Sequence, residues 1–240
     1  LLQTEGPLEL LYFDIQGKAE ATRLAAVIGS VDMKDTRLDG ETFTQMKESG
    51  KLPFGQVPLL RLPSGESIAQ SAAILRFVGK HAGLYPLQDH ALAAKIDSII
   101  DMEADLFTGV TVSRYPWRYG FDAAGFQGTR DSTCALTAKV REQLNTVILP
   151  QLLSKLESMM KQSSTKWIAG TEGPSVADLV LVPRLWWLAN ENPGIDPTIL
   201  DAFPRLKNMV NDVMALPAVV AYYKSRGEVW SPEAFNIVKA

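Results

Sequence analysis

A single cysteine, Cys134, in 240 residues excludes an intrachain disulfide and a cysteine-rich metal centre. The two histidines, His81 and His90, stand apart with no HExxH or carboxylate pattern around them, so no metal site is expected. No apolar run reaches the roughly 18 residues of a membrane-spanning helix, and no membrane association is expected. Basic charge is not in excess: 24 Lys and Arg face 27 Asp and Glu, a formal net charge of −3, with the signs mixed along the chain. That balance speaks against nucleic acid as a partner. Neither a P-loop nor a GxGxxG after a strand occurs, which leaves nucleotide chemistry without its motifs. Leu1-Leu2 is no signal peptide, although a start at Leu1 rather than Met leaves room for a removed targeting segment. A cytoplasmic location is the simplest expectation.

What is present is a chain that is 46% apolar and long enough for one large domain or two smaller ones. Leu8–Phe13 (LELLYF) reads as a buried strand, and Ala19–Ile28 as a helix stopped by Gly29. Val31–Leu38 alternates like a half-exposed strand, and Glu41–Ser49 suits a short helix ending at Gly50. Pro53–Ser71 (PFGQVPLLRLPSGESIAQS) then gives strand, Ser64-Gly65 turn and strand. Ser71 stands as an N-cap before a helix running to Gly83. The order predicts a β-α-β unit, a hairpin and a closing helix, hence a mixed four-stranded sheet over residues 1–83. Residues 84–90 (LYPLQDH) read as a linker. From 91 to 240 the strand signals largely vanish. Helices are predicted over 91–111, 134–161, 176–190, 204–215 and 217–225, so the expected architecture is α/β followed by an all-helical domain.

The stretch around Pro58 suggests binding as well as folding. A proline at the head of a strand donates no hydrogen bond, and Val57-Pro58 can be cis at modest cost. A cis bond would turn the Val57 N–H and C=O outward to pair with an extended peptide. The helix beginning at Ser71 offers unpaired N–H groups and a positive dipole end that favour a carboxylate. The same residues also fit an ordinary hairpin followed by a capped helix.

Three segments together, YFDIQGKAEATRL, FGQVPLL with IAQSAAILRFVG, and GPSVADLVL, resemble a cytosolic glutathione transferase. The likeness is to the tyrosine-type branch, nearest the sigma class, and spans Leu8 to about Gly227. It implies a thioredoxin-like domain joined to the helical one, usually as a homodimer, with glutathione as co-substrate and no other cofactor. It places Tyr12 as the residue whose hydroxyl favours the glutathione thiolate; the alternative is a core aromatic with its hydroxyl satisfied locally. Val57 and Pro58 would meet the cysteinyl backbone, and Gln70 and Ser71 the γ-glutamyl carboxylate. Lys47 and Gln56 match contacts to the glycine end, with Lys51 as a further candidate. Three positions depart from the pattern: Phe43 stands where tryptophan is usual, Lys18 replaces a common arginine, and Ala21 a common proline. A lysine presents a point charge rather than a planar fork.

Asp97, Asp101 and Asp105 share one helix face at i, i+4 spacing, which by itself describes a solvated acidic face. The resemblance makes Asp101 a contact to the partner subunit's glutathione and sets Phe54 where some classes insert an aromatic key into the partner; Arg76, on the preceding helix, is a candidate cross-subunit partner for the remaining carboxylates. Phe13, Thr108, Val112, Tyr115 and Trp117 are expected to line a pocket for a small hydrophobic electrophile, with Trp230 or Phe235 as a cover. Residues 115–133 form an aromatic loop. Ser175 and Asp178 make a capping box with Pro174 and Leu179 as staple, and Pro183 predicts a kink. Three activities stay open: conjugation, glutathione-dependent isomerisation of the prostaglandin-synthase type, and a non-catalytic structural or interaction role.

Overall fold

The computed structural model describes residues 6–127, 134–190 and 193–240. β1 (Leu8–Phe13) is almost continuously apolar because it lies inside a sheet. It pairs in parallel with β2 (Met33–Leu38), from Leu8↔Met33 to Phe13↔Leu38. On its other side it runs antiparallel to β3 (Leu59–Arg61), with Leu10 opposite Leu60. β4 (Ser67–Ala69) completes the order β2-β1-β3-β4 through the Ser64-Gly65 turn, where Gly65 has φ +89°. The crossover helix α1 (Glu20–Ile28) follows a short 3-10 turn over Gly17–Ala19. α2 (Gly40–Glu48) enters through Asp39, whose carboxylate accepts the Thr42 N–H at 2.7 Å.

α3 (Ser71–His81) corrects one expectation. Its N-cap is Gln70, not Ser71, and Gln70 makes no side-chain capping bond. With φ +74° and ψ 116°, Gln70 turns the chain straight from β4 into the helix. Ser71 is therefore the first helical residue, with its N–H among the first-turn donors that a helix cannot satisfy internally.

The helical region is built on α4 (His90–Arg114), which runs three residues past the expected end. Its buried stripe of Ile96, Ile99, Ile100, Glu103, Leu106, Phe107 and Val110 faces α7 (Val176–Asn190). α5 (Ala135–Gln143) and α6 (Leu149–Gln162), expected as one helix, are joined by a wider π-type turn over Leu144–Ile148. Pro150 lacks the N–H that would bond the Thr146 carbonyl, which accounts for the irregularity there. α7 continues through Pro183. α8 (Pro204–Met214) and α9 (Pro217–Ser225) each start on a proline, whose missing N–H costs nothing at that position.

Asp178 is fully buried where α7 begins. It accepts from the Ile168 N–H at 2.8 Å and from the Ser175 N–H and hydroxyl at 2.8 and 2.9 Å. Burial raises its carboxyl above the ordinary range, and these three donors offset part of that cost. The tail adds an element that the sequence did not announce, a hairpin of β5 (Glu228–Ser231) and β6 (Asn236–Lys239).

The main core runs from one face of the sheet through α1 and α3 into the helices. Gly79 allows α3 to lie against Val176 of α7, where a Cβ would collide with the valine side chain. A smaller cluster of Leu11, Leu38, Met46, Leu52 and Leu59 seats α2 on the other face.

Candidate functional site

The site grows from the C-terminal end of β1. Alternation puts Tyr12 on the same face as Leu8 and Leu10, so its ring is buried in the main core, while Phe13 is half-buried at the edge of that core, 5.1 Å from the Phe43 ring. The Tyr12 hydroxyl oxygen accepts the Lys18 backbone N–H at 3.1 Å. That contact depends on Gly17, which has φ +45° and lies so close that a Cβ would sit 2.5 Å from the hydroxyl. With its oxygen occupied as an acceptor, Tyr12 has its own O–H left to donate.

Behind this turn stands Arg23, 1% exposed. It donates to the carbonyls of Ile15 at 2.7 Å, Gln16 at 3.3 Å and Phe13 at 3.4 Å. It pairs with Glu20 at 3.0 Å and with Asp35 at 3.1 Å, and its guanidinium carbon lies 5.6 Å from the Tyr12 ring centroid. Glu20 in turn accepts from the Tyr223 hydroxyl of α9 at 2.7 Å.

The Tyr12 ring borders a cleft of about 800 Å³. One wall carries Phe13, Phe43, Lys47, Gln56, Val57, Pro58, Gln70 and Ser71; the other carries Phe107 and Thr108 from α4, then Trp117, Arg118 and Tyr119. Val57-Pro58 is cis, and both ladders of β3 begin only at Leu59, so Val57 lies outside them at the cleft.

Lys18 lines the cleft with its ammonium already engaged. Its Nζ lies 2.9 and 3.0 Å from the two carboxylate oxygens of Glu103, and Glu103 also accepts from the Arg184 Nε at 2.7 Å. Arg184 is stacked over Phe107 at 4.0 Å and Trp187 at 4.6 Å. Burial, then the neighbouring Arg184 charge, lowers the Lys18 ammonium from its ordinary value, and Glu103 opposes that shift.

Residues 131–226 match the family model described as the glutathione S-transferase C-terminal domain. Glutathione S-transferase 1 of Ascaris suum is 31% identical over 224 residues, covering 91% of this chain and 96% of that protein. The chain belongs to the glutathione S-transferase family. Hematopoietic prostaglandin D synthase of Gallus gallus is 28% identical, over 91% of this chain and 96% of its own length. A monomeric glutathione S-transferase of the hookworm Necator americanus is 28% identical with a TM-score of 0.69, over 92% of this chain and 98% of that one.

Within this glutathione S-transferase, the cleft brings together Tyr12, Lys18, Phe43, Lys47, Gln56, Val57, Pro58, Gln70 and Ser71, with Phe13, Thr108 and Trp117. Val112, Tyr115 and Lys51 do not line it. Tyr115 stands behind the wall, edge-on to Trp117 at 5.3 Å. Asp101 is also outside, paired with Arg76 at 2.9 Å, while Asp97 holds the same Arg76 at 2.6 Å and the Tyr85 hydroxyl at 2.9 Å. Arg76, offered as a cross-subunit partner, makes both of these ion pairs within its own chain. The tail gives no cover: the Trp230 Nε1 donates to Asn211 at 3.1 Å, and Phe235 is buried with its carbonyl accepting from Asn190 at 2.8 Å. The far end of the aromatic loop, residues 128–133, lies outside the described residues.

Sequence reasoning passed over Glu103, Arg184, Glu20 and Arg23. A signal existed for Glu103, which falls on the apolar stripe of α4 where a carboxylate demands a partner. Glu20 and Arg23 likewise sit at i, i+3 among the small residues of α1.

Proposed function

We propose that the protein is a tyrosine-type glutathione transferase, nearest the sigma class, that ionises the glutathione thiol for attack on small hydrophobic electrophiles. The observation that carries this reading is the Tyr12 hydroxyl, held by the Lys18 N–H at the cleft wall with its proton left to give. A thiol near pKa 8.5 is only ~3% thiolate at pH 7. A hydrogen bond donated to sulfur favours the anion. The bond that Tyr12 accepts polarises its O–H and strengthens that donation.

The rest of glutathione follows from the walls. Val57 pairs with the cysteinyl backbone as an added strand. Gln70 and Ser71 hold the γ-glutamyl carboxylate at the α3 N-terminus, where the Ser71 hydroxyl has no partner among the described residues. Because Lys18 is committed to Glu103, Lys47 with Gln56 receives the glycine carboxylate, beside Phe43. The thiol proton leaves to solvent. Sulfur then forms a bond to the electrophilic carbon, and the leaving group departs with its electron pair, over Phe13, Thr108 and Trp117.

Retention on glutathione–agarose and release by free glutathione are expected; flow-through of the folded protein would end this reading. Ser71→Ala should raise KM for glutathione about 10-fold and leave kcat within about two-fold, because contacts remote from sulfur hold ground and transition states alike. Steady-state kinetics checks this; a fall in kcat at unchanged KM would place Ser71 in the chemistry.

The likeness to prostaglandin D synthase favours a second reading, in which sulfur adds to the substrate and leaves again. Glutathione would then not be consumed, which a thiol titration before and after turnover distinguishes. The location proposed is cytoplasmic and the assembly a homodimer. Exposed Phe54 at the cleft rim and the acidic face of α4 at Asp101 and Asp105 supply the surface. Sedimentation equilibrium should give twice the chain mass; a single-chain mass across micromolar concentrations would overturn the dimer.

A further inference from the structure

We propose that Arg118 selects an electrophile that carries a carboxylate on an apolar body. The inference rests on the glutathione reading above, because that reading decides which cation of the cleft is left over. The residues that line the cleft include the cations Lys18, Lys47 and Arg118 and neither aspartate nor glutamate. Lys18 is ion-paired with Glu103 behind the wall, a carboxylate it shares with Arg184. Lys47, on α2, stands at the glycine end of the peptide. Arg118 stands on the opposite wall, in the turn after α4, between Trp117 and Tyr119.

Arg118 is a positioned cation. Its guanidinium carbon lies 4.6 Å from the centroid of the Tyr115 ring, and the same ring meets Trp117 edge-on at 5.3 Å. One aromatic post thus holds both the charge and the apolar surface beside it. A guanidinium stacked by its face keeps its edge N–H groups for a ligand. No carboxylate among the described residues pairs with it. The planar fork matches a carboxylate, and the rings of Trp117 and Phe13 suit the apolar remainder of such a molecule. The carboxylate is bound and takes no part in the reaction. With an aryl chloride, sulfur forms the C–S bond while chloride leaves with the C–Cl electron pair.

The test compares a chloronitrobenzoate with its methyl ester, which differ in charge at one position. In Arg118→Gln the ratio of kcat/KM for acid over ester should fall about 10-fold, and Arg118→Lys should keep part of it. In the wild type the same ratio should shrink from low to high salt. Calorimetry with S-(para-carboxybenzyl)glutathione and its methyl ester reads the same preference without turnover, so slow chemistry cannot hide it. A ratio in Arg118→Gln within about two-fold of wild type, with the ester conjugate bound normally, overturns this inference and leaves the glutathione site intact. Failure of both conjugates to bind the wild type, together with no retention on glutathione–agarose, overturns both.

Discussion

Replacing Tyr12 with Phe should cost about 100-fold in turnover at neutral pH while glutathione still binds. The ring, buried in the main core, is kept, and Val57, Gln70 and Ser71 are untouched. What is lost is the donor to sulfur, so the bound thiol drifts back toward its free pKa. Each unit of drift is worth ~1.4 kcal/mol, and two units give roughly 100-fold less thiolate when both values lie above the assay pH. The loss should shrink as pH rises, since hydroxide then performs the ionisation that Tyr12 had favoured. The Lys18 N–H also loses its acceptor, so a stability loss of about 1 kcal/mol should accompany the change. Thiolate absorbance titrated in the glutathione complexes of wild type and variant decides the matter. Coincident curves would make Tyr12 a packing residue and send the search for the donor elsewhere along the cleft.

The parts of this site that were legible in the sequence are those written locally. A strand end before a glycine turn, a proline at the head of a strand and a small polar residue at a helix start each declare their geometry within a few residues. Val57 and Ser71 were found that way, Tyr12 came from the likeness to known sequences, and the cleft unites the three. Even there a detail escaped: Gln70 adopts φ +74°, which neither propensity nor pattern predicts for glutamine, and this moved the cap one residue back.

Long-range partners were not legible. Lys18 and Glu103 are 85 residues apart, and Glu103 and Arg184 another 81, so no window held the cluster. The likeness to known sequences set Lys18 where an arginine is common and could not say what its ammonium meets; the fold pairs it with Glu103. The acidic spacing on α4 showed a face and could not show that Arg76 of the same chain turns onto it. Aromatic residues near the end of the chain looked like a cover for the cleft. The turn into β5 and β6 instead lays Trp230 on α8 and sinks Phe235 beside α7. Alternation over four residues is too brief to separate such strands from loop.

Arg23→Met should destabilise the protein by about 3–5 kcal/mol, the largest loss expected from a single replacement here. Arg23 is almost wholly enclosed and balances Glu20, itself 2% exposed. Methionine fills much of the volume but leaves the Glu20 carboxylate buried with the Tyr223 hydroxyl as its remaining partner among the described residues. The carbonyls of Phe13 and Ile15 lose the Arg23 donor at the same time, and that of Gln16 is left with the Glu20 N–H. Those carbonyls belong to the turn that carries the Lys18 N–H to Tyr12, so the damage should also reach the site. The urea midpoint should fall with the slope unchanged, and KM for glutathione should rise in the surviving folded protein. Adding Glu20→Leu removes the stranded charge, and the double variant should recover part of the loss, as expected for a buried pair whose desolvation rivals its attraction. A single variant within about 1 kcal/mol of wild type would show that water or a shift of α1 satisfies Glu20. The Arg23 network would then be a consequence of the turn rather than what holds it.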